Sequence, residues 1–342
     1  MNRYCRIISC ISIAILTVIL LSTGAVLCYS RYHYRTGIIY LKTGQPEESY
    51  DSLKRSLGVF NWLKRFGYPL GRDLFRVRSA LGEALYSCGK KQQSVDGYIA
   101  KLREGSMHLH DAYAYDQRNY RTVYWLAKTE AVLEAIWNTQ KHDNRSNPFD
   151  GQYYFEEALT LLPTGFSARY NLIIYLYHKG EMAVLAEQVQ KLVRYSPAAF
   201  KHVVNKPFFT NDTREKAIDG LVMAYENRVQ PRTALVYLSQ MAGEEGDYEK
   251  AASYYGEAVS YSIWLNSSNT FYHLGMLQLN ASNFEAGNKA FAEALRRSSD
   301  FDGSLQRIYQ LYKKQNKFDE FIEFTSFVEK ELYWTKHLEV SK

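Results

Sequence analysis

Two stretches of this 342-residue chain gather side chains that could do chemistry. "HLHD" brings together His108, His110 and Asp111. Imidazoles and carboxylates are common metal ligands. A site needs further ligands at workable spacing, and none stands nearby, so the stretch reads as a polar loop between helices. "GEALYSCGKK" (82–91) superficially resembles a phosphate-binding loop. Its glycines are too far apart, Lys91 stands where a Ser or Thr is needed, and the context is helical rather than strand–loop–helix. There is no HExxH, no GxSxG and no GxGxxG after a strand pattern. Cys5, Cys10 and Cys28 lie in or beside an N-terminal apolar segment, Cys88 stands alone, and no CxxC pair exists for zinc or redox work. The sequence therefore gives no catalytic residues, and no cofactor and no metal are expected. N-x-S/T triplets occur at Asn144, Asn211, Asn266 and Asn280, near chance frequency.

The elements that would have to position any site are helical. The chain has 29 Tyr and only 7 Pro, a composition that suits helices more than Pro-rich sandwiches. Net charge is +6 from 42 basic and 36 acidic residues. That is a mild excess, not the dense basic face that nucleic acid requires, so no nucleic-acid partner is expected.

Residues Ile7 to Tyr29 contain no charge over 23 positions, including "IAILTVILL". About 20 apolar residues cross a bilayer core as a helix. A cleaved signal peptide is the alternative, with Thr23 and Ala25 as a small-residue cleavage site. Leu27 before Cys28 argues against a lipid-modified cysteine. The run is longer than a signal core, so residues 1–29 read as an uncleaved single-pass anchor that contacts the membrane through residues 7–29. Arg3 and Arg6 flank one side, and Arg31, Arg35 and Lys42 the other, a near tie for the positive-inside rule. The short charged tail favours a cytoplasmic N-terminus, with the remainder facing a bacterial periplasm.

Fixed spacings organise the rest. Ala251, Tyr255 and Ala258 recur as Gly287, Phe291 and Ala294, displaced by 36, and as Phe321, Thr325 and Val328, displaced by a further 34. Upstream of each lies a second helical pattern: Leu235, Leu238, Ser239; Phe271, Leu274, Gly275; Leu305, Ile308, Tyr309. This resembles the tetratricopeptide repeat (TPR) family, whose unit is two antiparallel helices in about 34 residues. The resemblance is clearest over 232–335. It implies an all-α, right-handed solenoid of six to eight hairpins, in which small residues such as Ser239, Gly275 and Ala258 allow close approach and Tyr255 and Phe291 fill the space between hairpins.

Traced backwards, the template fits 166–199 through Gly180, Leu185, Val189, Leu192 and Pro197, and fits 75–108 through Leu81, Gly82, Leu85, Gly89, Tyr98 and Ile99. It fits 30–63 through Gly37, Tyr40, Gly44 and Leu53. An N-terminal array over 30–199 would thus follow the anchor almost directly, and a C-terminal array would cover 232–342. Residues 109–165 are too long for one ordinary unit and hold a helix over about 116–140. Residues 200–231 carry Pro207 where a first helix should run, and Pro is costly there. Their second helix starts with Asp212 or Thr213 as cap.

The resemblance implies binding of protein partners along a concave face lined by first helices. By repeat position that face holds Tyr170, Asn171, Ile174 and Tyr177, then Tyr237 and Gln240, then Tyr272, His273 and Met276, and finally Arg307, Gln310 and Lys314. Tyrosine offers large area with few rotatable bonds. The carboxylate clamp of co-chaperone TPR domains is not matched: Asn171 and Arg307 are not in adjacent units, and Gly303 stands where Lys is needed. The expected function is a non-catalytic, membrane-anchored scaffold in a bacterial envelope assembly or membrane machine, its expected partners being proteins, among them several subunits of a membrane complex. The alternative is an accessory to polysaccharide assembly or export, its tyrosines stacking on sugars.

Overall fold

The structure, a computed structural model, describes residues 3–140, 146–261 and 267–339, with side chains described over 12–140, 146–261 and 267–330. Asn144 and Asn266 lie outside the described residues. Among those described there are helices and turns but no strand. Two compact units form, Met1–Tyr175 and Leu176–Lys342.

The first unit contains α1 (Arg3–Lys42), α2 (Pro46–Arg65), α3 (Gly71–Gly89), α4 (Val95–Tyr115), α5 (Tyr120–Thr139), α6 (Gly151–Leu161) and most of α7 (Phe166–Lys179). Local chemistry sets their ends. Gly44, at φ +76°, takes the left-handed turn after α1, and Pro46 opens α2 with its φ already helical. Glu47 and Glu48 then sit in the first turn of α2, with Lys64 and Arg65 in its last, complementing the helix dipole. Ser94, Asn119 and Asp150 each accept a backbone N–H three residues on, capping α4, α5 and α6.

Consecutive helices pair as α1/α2, α3/α4 and α5/α6, and the hairpins stack through α2 on α3 and α4 on α5. Close approach needs small residues. A Cβ on Gly37 would lie 2.6 Å from Leu53 Cγ, and one on Gly82 would collide with the Leu109 side chain. Buried hydroxyls fix the register: Ser30 Oγ donates to Ser56 O at 3.0 Å and Ser49 Oγ to Gly37 O at 2.8 Å.

The second unit contains the end of α7, then α8 (Met182–Tyr195), a 3-10 helix η1 (Pro197–His202), α9 (Asn211–Glu226), α10 (Pro231–Glu244), α11 (Tyr248–Ser260), α12 (Ser268–Asn280), α13 (Phe284–Arg296), α14 (Phe301–Lys314) and α15 (Phe318–Glu339). The pairs α10/α11, α12/α13 and α14/α15 are its hairpins. Asp247, Ser267, Asn283 and Asp300 cap their helices through side-chain oxygens. A Cβ on Gly275 would lie 2.5 Å from Phe291, and Ser239 Oγ donates to Ala251 O at 2.7 Å, so both small positions act as the repeat pattern requires.

Several sequence expectations change. The apolar run expected to be an anchor and the first helix of the first repeat are one continuous helix, because α1 runs unbroken through residues 7–42. Residues 109–165 are not one long unit: α4 extends to Tyr115, and α5 with α6 makes an ordinary hairpin. The helix expected from 116 starts at Tyr120, where Asn119 caps it. "HLHD" is not a loop but part of α4. In 200–231 the first helix is replaced by η1 and turns, whose Phe200, Val203 and Phe208 are buried. Helices α8 and α9 then pack directly, with Gly220 against the carbonyl of Gln190 and the side chain of Val193. The residue before α9 is Thr210, not Asp212 or Thr213. In the last hairpin Phe324, not Thr325, is the buried ring, stacked 6.0 Å from Tyr312. Tyr255 is only half-buried, whereas Phe291 is fully buried.

Candidate binding faces of the first helices

In the first unit, α1, α3 and α5 touch in succession and form one layer of first helices. Helix α5 carries Tyr120, Tyr124 and Lys128 at four-residue spacing, which puts them on one stripe. Tyr120 and Tyr124 stack with ring centroids 6.0 Å apart. The Lys128 ammonium lies 4.4 Å from the Trp125 ring, 4.8 Å from Tyr86 on α3 and 5.5 Å from Tyr124. Lys90 approaches the other side of this group, 4.9 Å from Tyr86. Burial, then repulsion by Lys90, pushes Lys128 down to about 8, against the pull of Glu83. The cationic form still gains from the ring faces. Glu83 accepts from Arg121 Nη2 at 2.7 Å and Nε at 3.0 Å, although burial raises its carboxyl above the usual range.

Behind this face lies a buried polar layer. Glu130 is 2% exposed and accepts from Ser106 Oγ at 2.6 Å and from His110 Nε2 at 3.2 Å. Glu134, one turn on, accepts from Tyr175 Oη at 2.8 Å and the Gly151 N–H at 3.1 Å. Ser106 and His110 meet the same carboxylate oxygen, so the imidazole is not placed to take the serine proton as a nucleophile would need. The "HLHD" residues diverge. His110 turns to Glu130, Asp111 pairs with Arg78, and His108 is half-buried, its pKa lowered by burial and then by Arg78. No three potential metal ligands converge among the described residues.

The predicted face residues separate by environment. Asn171 on α7 donates to Tyr124 Oη at 3.0 Å and to Ser167 O at 2.7 Å. Tyr170 stacks on Phe166 at 5.8 Å, and Ile174 is half-buried. Tyr177 lies 5.7 Å from Phe208, and Tyr237 lies 4.8 Å from Phe200, so both pack on the irregular 200–209 segment. Gln240 is exposed and bonds Glu244 at 3.0 Å. His273 is edge-on to Tyr255 at 4.7 Å, and Met276 is half-buried. Gln310 and Lys314 are exposed on α14.

Two predicted residues meet directly. The Arg307 guanidinium lies 4.3 Å above the Tyr272 ring, and its Nη1 donates to Asn269 Oδ1 at 3.2 Å. Arg307 also lines an open polar cleft of about 690 Å³, with Ser268, Asn269, Arg297, Asp300 and Ser304 among others. Sequence reading missed Tyr86, Tyr124, Trp125 and Lys128. The signal was present in "YRTVYWLAK" (120–128), whose aromatic and basic residues recur every turn.

No protein-family model and no curated protein matches the chain. Solved structures do. A tetratricopeptide repeat protein from Parabacteroides merdae is 14% identical, with a TM-score of 0.36, over 83% of this chain and 98% of that one. TTC0263, a TPR protein of Thermus thermophilus, is 16% identical, with a TM-score of 0.32, over 56% and 99%. Pseudomonas aeruginosa PilF is 12% identical, with a TM-score of 0.27, over 78% and 99%. Within each unit, paired helices stack hairpin on hairpin, and Gly37, Gly82 and Gly275 each receive a large side chain from the partner helix, which is a TPR-like all-α fold.

Proposed function

We propose that the chain is a non-catalytic scaffold, anchored by α1, that captures protein partners on its first-helix faces. One N-terminal helix is long and apolar enough to cross a membrane. The observation that carries the binding reading is Arg307 seated on Tyr272 beside an open cleft. Arg and Tyr pre-ordered against each other lose little entropy when a partner arrives, and both are over-represented among residues that dominate interfaces. The partners on this reading are subunits of a bacterial envelope assembly, and the repeats face the periplasm. Membrane attachment raises local concentration, so modest contacts suffice.

Cross-linking in intact membranes followed by capture tests the face. Tyr272→Ala with Arg307→Ala should lower partner recovery without much change in melting temperature, whereas Lys289→Ala should not. Full recovery with the double variant, and loss on changing Phe208 or Phe209, would move the site to the irregular segment. Protease added outside the inner membrane should digest the repeats, and protection would reverse the orientation. The Tyr124–Trp125–Tyr86 cluster favours a second reading, stacking on sugars of an exported polysaccharide. Recovery of glycan rather than protein would select it.

A further inference from the structure

The junction between α1 and the repeats holds a basic pocket that neither binding face uses. It has a volume of about 260 Å³ and is lined by Arg31, Tyr34 and Arg35 from α1, Phe60 from α2, and Asp73, Arg76 and Val77 from α3. Arg31 reaches Asp73 at 3.4 Å. Among the described residues Arg35 and Arg76 have no carboxylate partner, and both are exposed. Three guanidinium groups thus face one carboxylate over a floor of Phe60 and Val77. This composition fits a phosphate attached to something apolar better than it fits a solvated ion.

Its depth identifies which phosphate. The last large side chain of the uncharged run is Tyr29, with Ser30 between it and Arg31. At 1.5 Å rise per residue, Arg31 and Arg35 stand about 3 and 9 Å beyond Tyr29. The headgroup layer on each side of a bilayer is about 5–8 Å thick. Helix α2 supports the same placement. The Ser30–Ser56 and Ser49–Gly37 bonds set an antiparallel register in which Trp62 stands level with Gly24 and Phe66 with Leu20. Val26 and Leu27 pack on the core that α2 builds, consistent with that register. Yet Trp62 is 48% and Phe66 66% exposed, their rings 4.8 Å apart. At 1.5 Å per residue that register sets Trp62 about 8 Å and Phe66 about 14 Å below Tyr29, within the leaflet itself, so the exposed Lys64 and Arg65 beside them must snorkel toward its headgroups.

We propose that the Arg31–Arg35–Arg76 pocket binds the phosphate headgroup of an anionic phospholipid, with the Trp62–Phe66 end of α2 seated in the same leaflet. This rests on the membrane-anchor reading. Arginine suits the task because its planar fork takes phosphate oxygens in pairs. A lipid held there would fix the depth and tilt of α1, and with them the height at which the first repeat stands.

The test uses the full-length chain in neutral detergent, with bound lipid read by native mass spectrometry. Phosphatidylglycerol should be retained about tenfold or more over phosphatidylcholine of the same chains. The triple change R31Q/R35Q/R76Q should abolish that preference, and Arg76→Gln alone, on an exposed side chain, should reduce it. Equal retention of the two lipids, or undiminished preference in the triple variant, overturns the proposal. Displacement of the lipid by millimolar inorganic phosphate also overturns it, by making the ligand a soluble anion. A separate arm reconstitutes the chain in vesicles of brominated phosphatidylcholine: tryptophan quenching should fall on Trp62→Phe, and an unchanged signal removes α2 from the leaflet. Washing those vesicles in high salt checks the anchor itself. Release there defeats the anchor reading, while the lipid preference in detergent still reports on the pocket.

Discussion

The two units join their helices by different chemistry. In Met1–Tyr175, hydroxyls and carboxylates cross between helices: Ser30 to Ser56, Ser79 to Thr122 at 2.8 Å, Ser106 to Glu130, and Tyr175 to Glu134. In Leu176–Lys342 the last two hairpins share a ring cluster, with Phe291, Tyr312 and Phe324 at centroid separations of 5.9–6.0 Å. Aromatic packing is tolerant of small displacements and stabilises mainly by area removed from water. A buried carboxylate is not tolerant, since every partner must be met or its desolvation goes uncompensated. The first unit should therefore be the more exacting about register, and the second the more sensitive to lost volume.

Substitutions at four residues probe that contrast, in order of expected effect. Phe291→Ala removes a fully buried ring and should cost about 3–5 kcal/mol. Because repeat arrays couple chiefly to nearest neighbours, amide exchange should quicken across α12–α15 and leave α3–α6 unchanged. Equal acceleration in both units would show that the chain unfolds as one body. Glu130→Ala is the counterpart in the first unit. It leaves Ser106 and His110 without their shared acceptor and should cost about 1–3 kcal/mol. Glu130→Gln keeps an acceptor oxygen and should cost less. If the two variants melt together, the polar layer is not what holds α4 to α5.

Tyr255→Ala should lower stability by about 1–2 kcal/mol, below Phe291→Ala, because the ring is half-buried. A loss equal to that of Phe291→Ala would restore Tyr255 as a core residue. The smallest effect concerns pH. Lys128 is held down to about 8, so the fold disfavours its ammonium while an unfolded chain does not. Stability attributable to this side chain should rise as pH climbs from about 8 toward the ordinary lysine value. Denaturation of the wild type against Lys128→Met across that range isolates it, and parallel curves would show that the aromatic rings offset the burial in full.

How much was legible follows from these particulars. Gly37, Gly82, Gly275 and Phe291 could be placed from spacing alone, because a repeat imposes the same small-against-large contact at the same interval. Lys128 could not, since its stripe shares no position with that template. Phe324 was missed for a related reason: the last hairpin shifts its buried ring by one residue, and a pattern carried over by count points to Thr325. Tyr272 and Arg307 could each be assigned to a first helix by repeat position, but their contact joins α12 to α14 and has no local signature.

By itself the sequence determined what depends on neighbours along the chain. Helix ends follow from caps such as Ser94, Asp247 and Asp300, the apolar run follows from composition, and the hairpin period follows from repetition, all governed by contacts within a turn or two. Only the tertiary structure decided what depends on pairs far apart in sequence. His110 read as part of a polar loop until α4 met Glu130 on α5, and Arg76 joined Arg31 and Arg35 only when α3 packed beside α1. The physical reason is that burial and electrostatics act through space, so a side chain's charge environment is set by helices that the local sequence does not contain.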